Sequence, residues 1–345
     1  MNESSTHREA ASNTDSKIGT ATYEDRVLGC LLGTMAGDAY AVLQASGDDP
    51  TAALESPAGL VVSDATQLTL YSVDGLVEAL EWANHGVAAD ETACLWLAYL
   101  RWLMRQGEHL PSTAPAPPAR WIDRQTDILP VHRPDADTVR ALLTGAMGTQ
   151  ARPLNPGADG PGALMRSAPF GLVPRIPASM VRRLTTDAAA LTHGSENAKE
   201  SAALLSGLIR ALAIEGRDLD EALTSVCPDE PRQSGDVGSR HGGAAGASPE
   251  NGPTASSTFA AALQAAREGV SASSSPVGQL EAALAHAART DRADADPVIA
   301  ASLAGGILGA LHGTDALPSG YLIASGVAGL VRAMAQNLLT ATTGS

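Results

Sequence analysis

Apolar residues recur at steps of three and four along this chain, and no stretch shows the two-residue alternation of a half-buried strand flanked by hairpin turns. Leu70, Val73, Val77 and Leu80 form one stripe between Thr66 and Asn84, and Trp96, Leu100 and Leu103 form another in a segment that opens near Asp90 and stops at Gly107. Ala198, Ala202, Leu205, Ile209 and Leu212 mark a third, with Gly216 expected just past its end as the left-handed residue that closes a helix. From Pro297 to Leu311 the chain is apolar almost all round, as a central buried helix would be. The residue types agree with the period. Hydrophobic residues make up 44% of the chain but aromatics only 3%, so Ala, Leu and Gly carry the apolar content. Ala and Leu favour helices, whereas strands favour β-branched and aromatic residues. The fold class expected is all-α, a compact multi-helix bundle, with Trp82, Trp96 and Trp102 in its core by their helical spacing.

The 345 residues are enough to bury a sizeable core. Residues 1–22 are polar and rich in Ser, Thr and Asn, and read as a disordered tail; 341–345 read as a short C-terminal tail. The domain between them, 23–340, carries one weak segment at about 229–257, whose Gly, Ser and Pro content reads as a disordered insertion between helices. A net charge of −15 argues against a nucleic-acid surface, which needs clustered Lys and Arg. The N-terminus lacks the apolar core of a signal peptide, and no stretch reads as a membrane-spanning helix, so no membrane partner is expected. Cys30, Cys94 and Cys227 are far apart with no CxxC, which fits a reducing, cytoplasmic compartment.

Four segments stand out. They are Gly29-Cys-Leu-Leu-Gly33-Thr-Met-Ala-Gly37-Asp38-Ala39; Ser63-Asp64-Ala65-Thr66-Gln67; Gly160-Pro-Gly162-Ala-Leu-Met165-Arg166 with Leu191-Thr192-His193-Gly194 downstream; and Asp296-Pro-Val-Ile through Gly305, Gly309 and Gly313. Each is weak alone, but in this order and spacing they resemble the ADP-ribosylglycohydrolase family, which includes the dinitrogenase reductase-activating glycohydrolase type. The likeness runs from about Asp25 to Leu330. It implies an α-helical fold and a cleft holding two magnesium ions, where an ADP-ribosyl group is bound while its glycosidic bond to an acceptor is cut. By the same resemblance Asp38, Gly162, Met165, Arg166 and His193 are the candidate substrate-binding residues.

Hard divalent ions need oxygen ligands, mostly carboxylates. The family draws them from a Thr/Ser-Asp-Asp-Thr run and a late Asp-x-Asp-Ser/Thr run. Here the candidate metal residues are Ser63, Asp64, Asp294 and Asp296, and Asp64 is the sole catalytic candidate. The early run reads Ser63-Asp64-Ala65-Thr66, so its second carboxylate has become a methyl group. The late run has two registers. Without gaps, Asp296 is the first Asp and Val298 and Ile299 stand where the second Asp and the hydroxyl belong. With two inserted residues, Asp294 and Asp296 are the pair and Pro297 replaces the hydroxyl. The ungapped register is preferred because Gly305, Gly309 and Gly313 all match. In either one at least two of six protein ligands are missing, and magnesium binding is expected to be weak or absent.

Other family positions depart as well. Ala45, beside Gln44, stands where a Glu is usual. Ser195-Glu196 replaces His-Pro after the Thr-His-Gly run, and Asp159 replaces a lysine. Plainer roles compete for the same residues: Asp64 with Gln67 fits a capping box, Asp296 before Pro297 fits an N-cap, Asp38 fits a buried acceptor of backbone amides, and His193 and Arg166 fit interior polar contacts. Three functional readings follow. The first is an impaired or inactive homologue, a pseudoenzyme that keeps a cleft for ADP-ribose or a related nucleotide. The second is an active magnesium-dependent ADP-ribosyl hydrolase, and the third a structural or partner-binding protein with an empty cleft.

Overall fold

The computed structural model describes residues 21–127, 130–131, 133–226, 252–289 and 292–343. In chain order the α-helices are α1 (Tyr23–Ser46), α2 (Ala52–Glu55), α3 (Asp64–Asn84), α4 (Glu91–Arg105), α5 (Ala136–Leu142), α6 (Ala168–Gly171), α7 (Ala178–Ala190), α8 (Glu196–Ala213), α9 (Leu219–Val226), α10 (Ala255–Ala272), α11 (Pro276–Ala287), α12 (Pro297–His312) and α13 (Val327–Thr343). Among the described residues there is no strand, only an isolated bridge between Thr149 and Arg152. The all-α expectation holds.

The fold is organised around α1 and α12, which run antiparallel in backbone contact. A Cβ at Gly33 would sit 2.2 Å from the carbonyl oxygen of Gly305, and one at Gly305 2.1 Å from that of Gly33. The same collision recurs one turn away, where a Cβ at Gly309 would lie 2.0 Å from Gly29 O, and again where one at Gly37 would lie 2.0 Å from Ala301 O. Glycine every fourth residue therefore lines the touching face of each helix. Around this pair, α10 and α11 pack on α12, α3 packs on α4 and α13, and α7 packs on α8.

Several expectations need adjustment. α1 and the stretch from Pro297 to Ala316 are each long and apolar enough to cross a membrane by length and composition, but 78% and 72% of their apolar windows are buried inside the protein. Being apolar all round is what a helix enclosed by other helices requires. Trp102 is fully buried and Trp96 partly so, but Trp82 is 49% exposed, on the outer side of α3. Gly216 does adopt the left-handed conformation, with φ +67°, but lies beyond Ile214, the residue that caps α8.

The soft segments are shorter than expected where they are described. Thr22 accepts from Asp25 N to cap α1, while residues 1–20 lie outside the described residues. α10 starts at Ala255, because the Thr254 hydroxyl caps Ser257 N and the amides of Thr254 and Ala255 bond the carbonyls of Asp294 and Asp159. The rest of that insertion, 229–251, lies outside the described residues, and α13 continues to Thr343.

Candidate functional site

The N-termini of α3, α5 and α12 converge with Asp38 of α1. Asp38 is fully buried, and its carboxylate accepts from Ser63 N at 3.2 and 3.1 Å, Thr66 N at 3.0 Å and Thr66 Oγ1 at 2.5 Å. Burial pushes its pKa up and these bonds pull it down. Asp38 thus ties α1 to the first turn of α3. Ser63 is the N-cap there, its Oγ accepting from Ala65 N at 3.1 Å. Asp64 is the first residue inside the helix and makes no capping box with Gln67, whose Oε1 instead accepts from Trp102 Nε1 and Gln106 Nε2.

Asp64 faces inward. Its Oδ2 accepts from the backbone N–H of Asp135 at 2.6 Å. Burial pushes its carboxyl up to about 7, and the charges of Asp135, Asp38 and Asp296 add to the shift. Ala65 is fully buried in the core. Asp296 caps α12, its Oδ1 accepting from Val298 N at 2.9 Å and Ile299 N at 3.0 Å, and burial raises its pKa. Val298 packs against the core. Asp294 lies apart: its side chain is 40% exposed and paired with Arg292 at 3.0 Å, and that hydrogen bond, with one from Ser257, holds its carboxyl down at about 2.

Asp135, which sequence reasoning missed, joins this group to the third motif. It caps α5 by accepting from Thr138 N at 2.7 Å, and its Oδ2 lies 3.5 Å from His193 Nε2. A Cβ at Gly162 would fall 2.3 Å from that same oxygen, which explains a glycine there. Pro-Asp-x-x-Thr at 134–138 announces a helix start, but nothing local says that the cap sits beside Asp64.

The remaining candidates are interior. Arg166 is 1% exposed and donates to Thr138 Oγ1, Gly162 O and Thr192 Oγ1, with Tyr99 stacked under its guanidinium at 4.5 Å. Met165 is buried and its carbonyl accepts from Thr69 Oγ1. His193 is fully buried; its Nδ1 is 2.8 Å from Thr192 Oγ1, and Nε2 has no hydrogen-bond partner among the described residues. Burial lowers its pKa, and Asp135 works against that shift.

Two of the family departures meet in space. Ser195 Oγ donates to Asp159 at 2.6 Å, and Asn197 Nδ2 donates to both oxygens of the same carboxylate at 2.9 and 3.0 Å. Asp159 therefore anchors the start of α8. Ala45 and Gln44 lie exposed in the last turn of α1.

The oxygens at the family's metal positions have other partners or are missing. Ser63 Oγ and Asp296 Oδ1 are spent on amides of their own helices, Ala65 and Val298 offer only carbon, and Asp294 is at the surface.

A profile of the ADP-ribosylglycohydrolase family matches residues 19–345. No curated protein matches the chain. Among solved structures, an ADP-ribosylglycohydrolase-related protein complex shares the fold, with 21% identity, a TM-score of 0.59, and coverage of 93% of this chain and 99% of that one.

Proposed function

This chain belongs to the ADP-ribosylglycohydrolase family, and on that premise we propose that it recognises ADP-ribose or a related nucleotide without hydrolysing it. The observation that carries this reading is the fate of the oxygens at the family's metal positions. Asp296 and Ser63 are committed to helix amides, Asp64 holds the Asp135 amide, and the two positions that would complete the donor set are a buried methyl and a core-facing valine. The frame around them is intact, with Asp38, Asp135, Arg166 and His193 all held in place. In such a site the electrostatic contacts that stabilise a breaking glycosidic bond are missing, and losing even one typically costs about 100- to 1,000-fold in rate. Magnesium would bind weakly, and the compartment is the cytoplasm.

The rival reading is an active hydrolase with a single magnesium ion held by Ser63, Asp64 and Asp294 or Asp296. The test is release of ADP-ribose from ADP-ribosylated arginine and serine peptides at saturating magnesium, beside an intact family member, together with calorimetric titration of ADP-ribose. Binding without turnover is expected. Robust magnesium-dependent turnover, abolished by Asp64→Ala, would install the hydrolase instead. Neither binding nor turnover would leave a structural or partner-binding protein.

A further inference from the structure

A cavity of about 620 Å³ opens toward the C-terminal end of α3, the end away from Asp64, and is lined also by α13 and by the turn at Arg120 and Trp121. Its volume lies within the roughly 300–1,000 Å³ of small-molecule pockets. Val77 and Met334 are buried and give it an apolar base. Trp121 is 42% exposed on its wall, which leaves indole surface open to a ligand. α3 and α13 finish side by side here, joined by a 2.8 Å bond from Asn84 Nδ2 to the carbonyl of Ala341.

The lining disfavours a ligand charge of either sign. Arg120 donates through Nε to Asp74 and through Nη2 to Glu81, both at 3.1 Å, and Arg101 bonds Asp74 as well. A cation would compete with Arg120 for those acids, and an anion would face them together with the carbonyl ends of two helices. The groups left over are accessible and mix donors with acceptors. Asn84 spends only its Nδ2, leaving Oδ1 to accept. His85 Nδ1 lies 2.6 Å from Glu81 O; a carbonyl only accepts, so Nδ1 carries the proton and Nε2 is left as an acceptor. On α13, the exposed amide of Asn337 makes no hydrogen bond among the described residues. Thr340 Oγ1 accepts from Gln336 Nε2 at 3.5 Å and keeps its own proton to give.

We propose that this cavity binds a neutral carbohydrate, a mono- or disaccharide, with one sugar ring laid on Trp121. Each hydroxyl both donates and accepts, so a ring that carries several meets the leftover donors and acceptors of α3 and α13 together. The C–H face of the same ring is apolar and covers the indole. Asn84 stands about 30 Å along α3 from Asp64, so the site is independent of the Asp64 centre and of the function proposed for it.

The test titrates the full chain with ribose, glucose, maltose, cellobiose, lactose and trehalose, read by calorimetry and tryptophan fluorescence. Saturable binding of at least one of them is expected. Trp121→Ala should weaken it about tenfold, and Trp121→Phe, which keeps a ring, by less while removing the fluorescence change. Asn337→Ala should weaken it about threefold or more, the loss of one hydrogen bond. Trp121 and Asn337 are both exposed, so these changes do not threaten the fold. Asp64→Asn should leave binding unchanged. Cationic glucosamine, anionic glucuronate and the bare base adenine should all bind more weakly than the best neutral sugar. Absence of saturable binding across the six sugars, full affinity in both Trp121→Ala and Asn337→Ala, loss of binding in Asp64→Asn, or tighter binding of glucosamine, glucuronate or adenine would each overturn the proposal.

Discussion

The backbone N–H of Asp135 donates a 2.6 Å hydrogen bond to the carboxylate of Asp64, joining residues 71 positions apart. That single bond links the cap of α5 to the first turn of α3, and places two acids against each other inside the protein. The bond itself pulls the Asp64 pKa down, but burial and the acids around it outweigh that pull.

Asp64 is pushed up to about 7 in the folded protein by burial and by its acidic neighbours, against about 3.9 in an unfolded chain. Between those values the folded state holds a proton that the unfolded state has released. The contribution to stability is thus complete below about pH 4 and is lost as pH rises through about 7. Asp64→Asn keeps an acceptor for the Asp135 amide and removes the buried charge. It should stabilise the protein at pH 8 by about 1–3 kcal/mol and change little at pH 4. Thermal melts of both proteins across this range check it; a larger gain at pH 4 than at pH 8 would contradict the assignment.

Gly33→Ala should be severely destabilising, by about 3 kcal/mol or more, because the new methyl would strike the Gly305 carbonyl and neither helix can step aside alone. Gly157→Ala, where a Cβ meets nothing within 4 Å, should be close to neutral. Urea midpoints for the pair measure the difference, and equal midpoints would mean that α1 and α12 do not touch through glycine.

Arg101 is 3% exposed and sits between Asp74 and Asp123, with Arg120 bonding Asp74 from the other side at 3.1 Å. Arg101→Met leaves two buried acids short of a partner and should cost about 3–5 kcal/mol at pH 8. Burial already raises the Asp74 carboxyl, and loss of Arg101 raises it further, so protonation relieves the cost. The deficit should therefore shrink as pH falls toward 5. A deficit that is constant with pH would place the cost in packing instead.

Ala65→Asp with Val298→Asp should restore a magnesium response, seen as a rise in melting temperature with magnesium that a chelator reverses. Ala65→Asp alone, without metal, should destabilise by several kcal/mol, about 2–4, because it adds a charge beside Asp64 in a sealed position. If Ala65→Asp with Pro297→Ser responds to magnesium while the Val298→Asp pair does not, the inserted register is the correct one.

The order of residues was sufficient to read the helices, because their 3.6-residue period is a local property: α3, α4, α8 and α12 begin and end within a few residues of their apolar stripes. The missing carboxylate at Ala65 is equally local. Trp82 shows where periodicity stops being informative, since a helix has two sides and only its neighbours say which is covered. Gln67 shows the same limit, leaving the capping role its spacing suggests for the indole of Trp102 on a different helix. Distance across the fold decided the rest. Asp135 enters the site, and Asp294 leaves it for Arg292, through contacts that no local pattern encodes. The glycines of α1 and α12 are visible in sequence as a four-residue repeat, but which backbones they bring together is a property of two helices packed against each other. Ser195 and Asp159 likewise look like unrelated departures until the start of α8 brings the hydroxyl onto the carboxylate. Helix formation depends on a few consecutive residues; burial and charge depend on what the chain places opposite them.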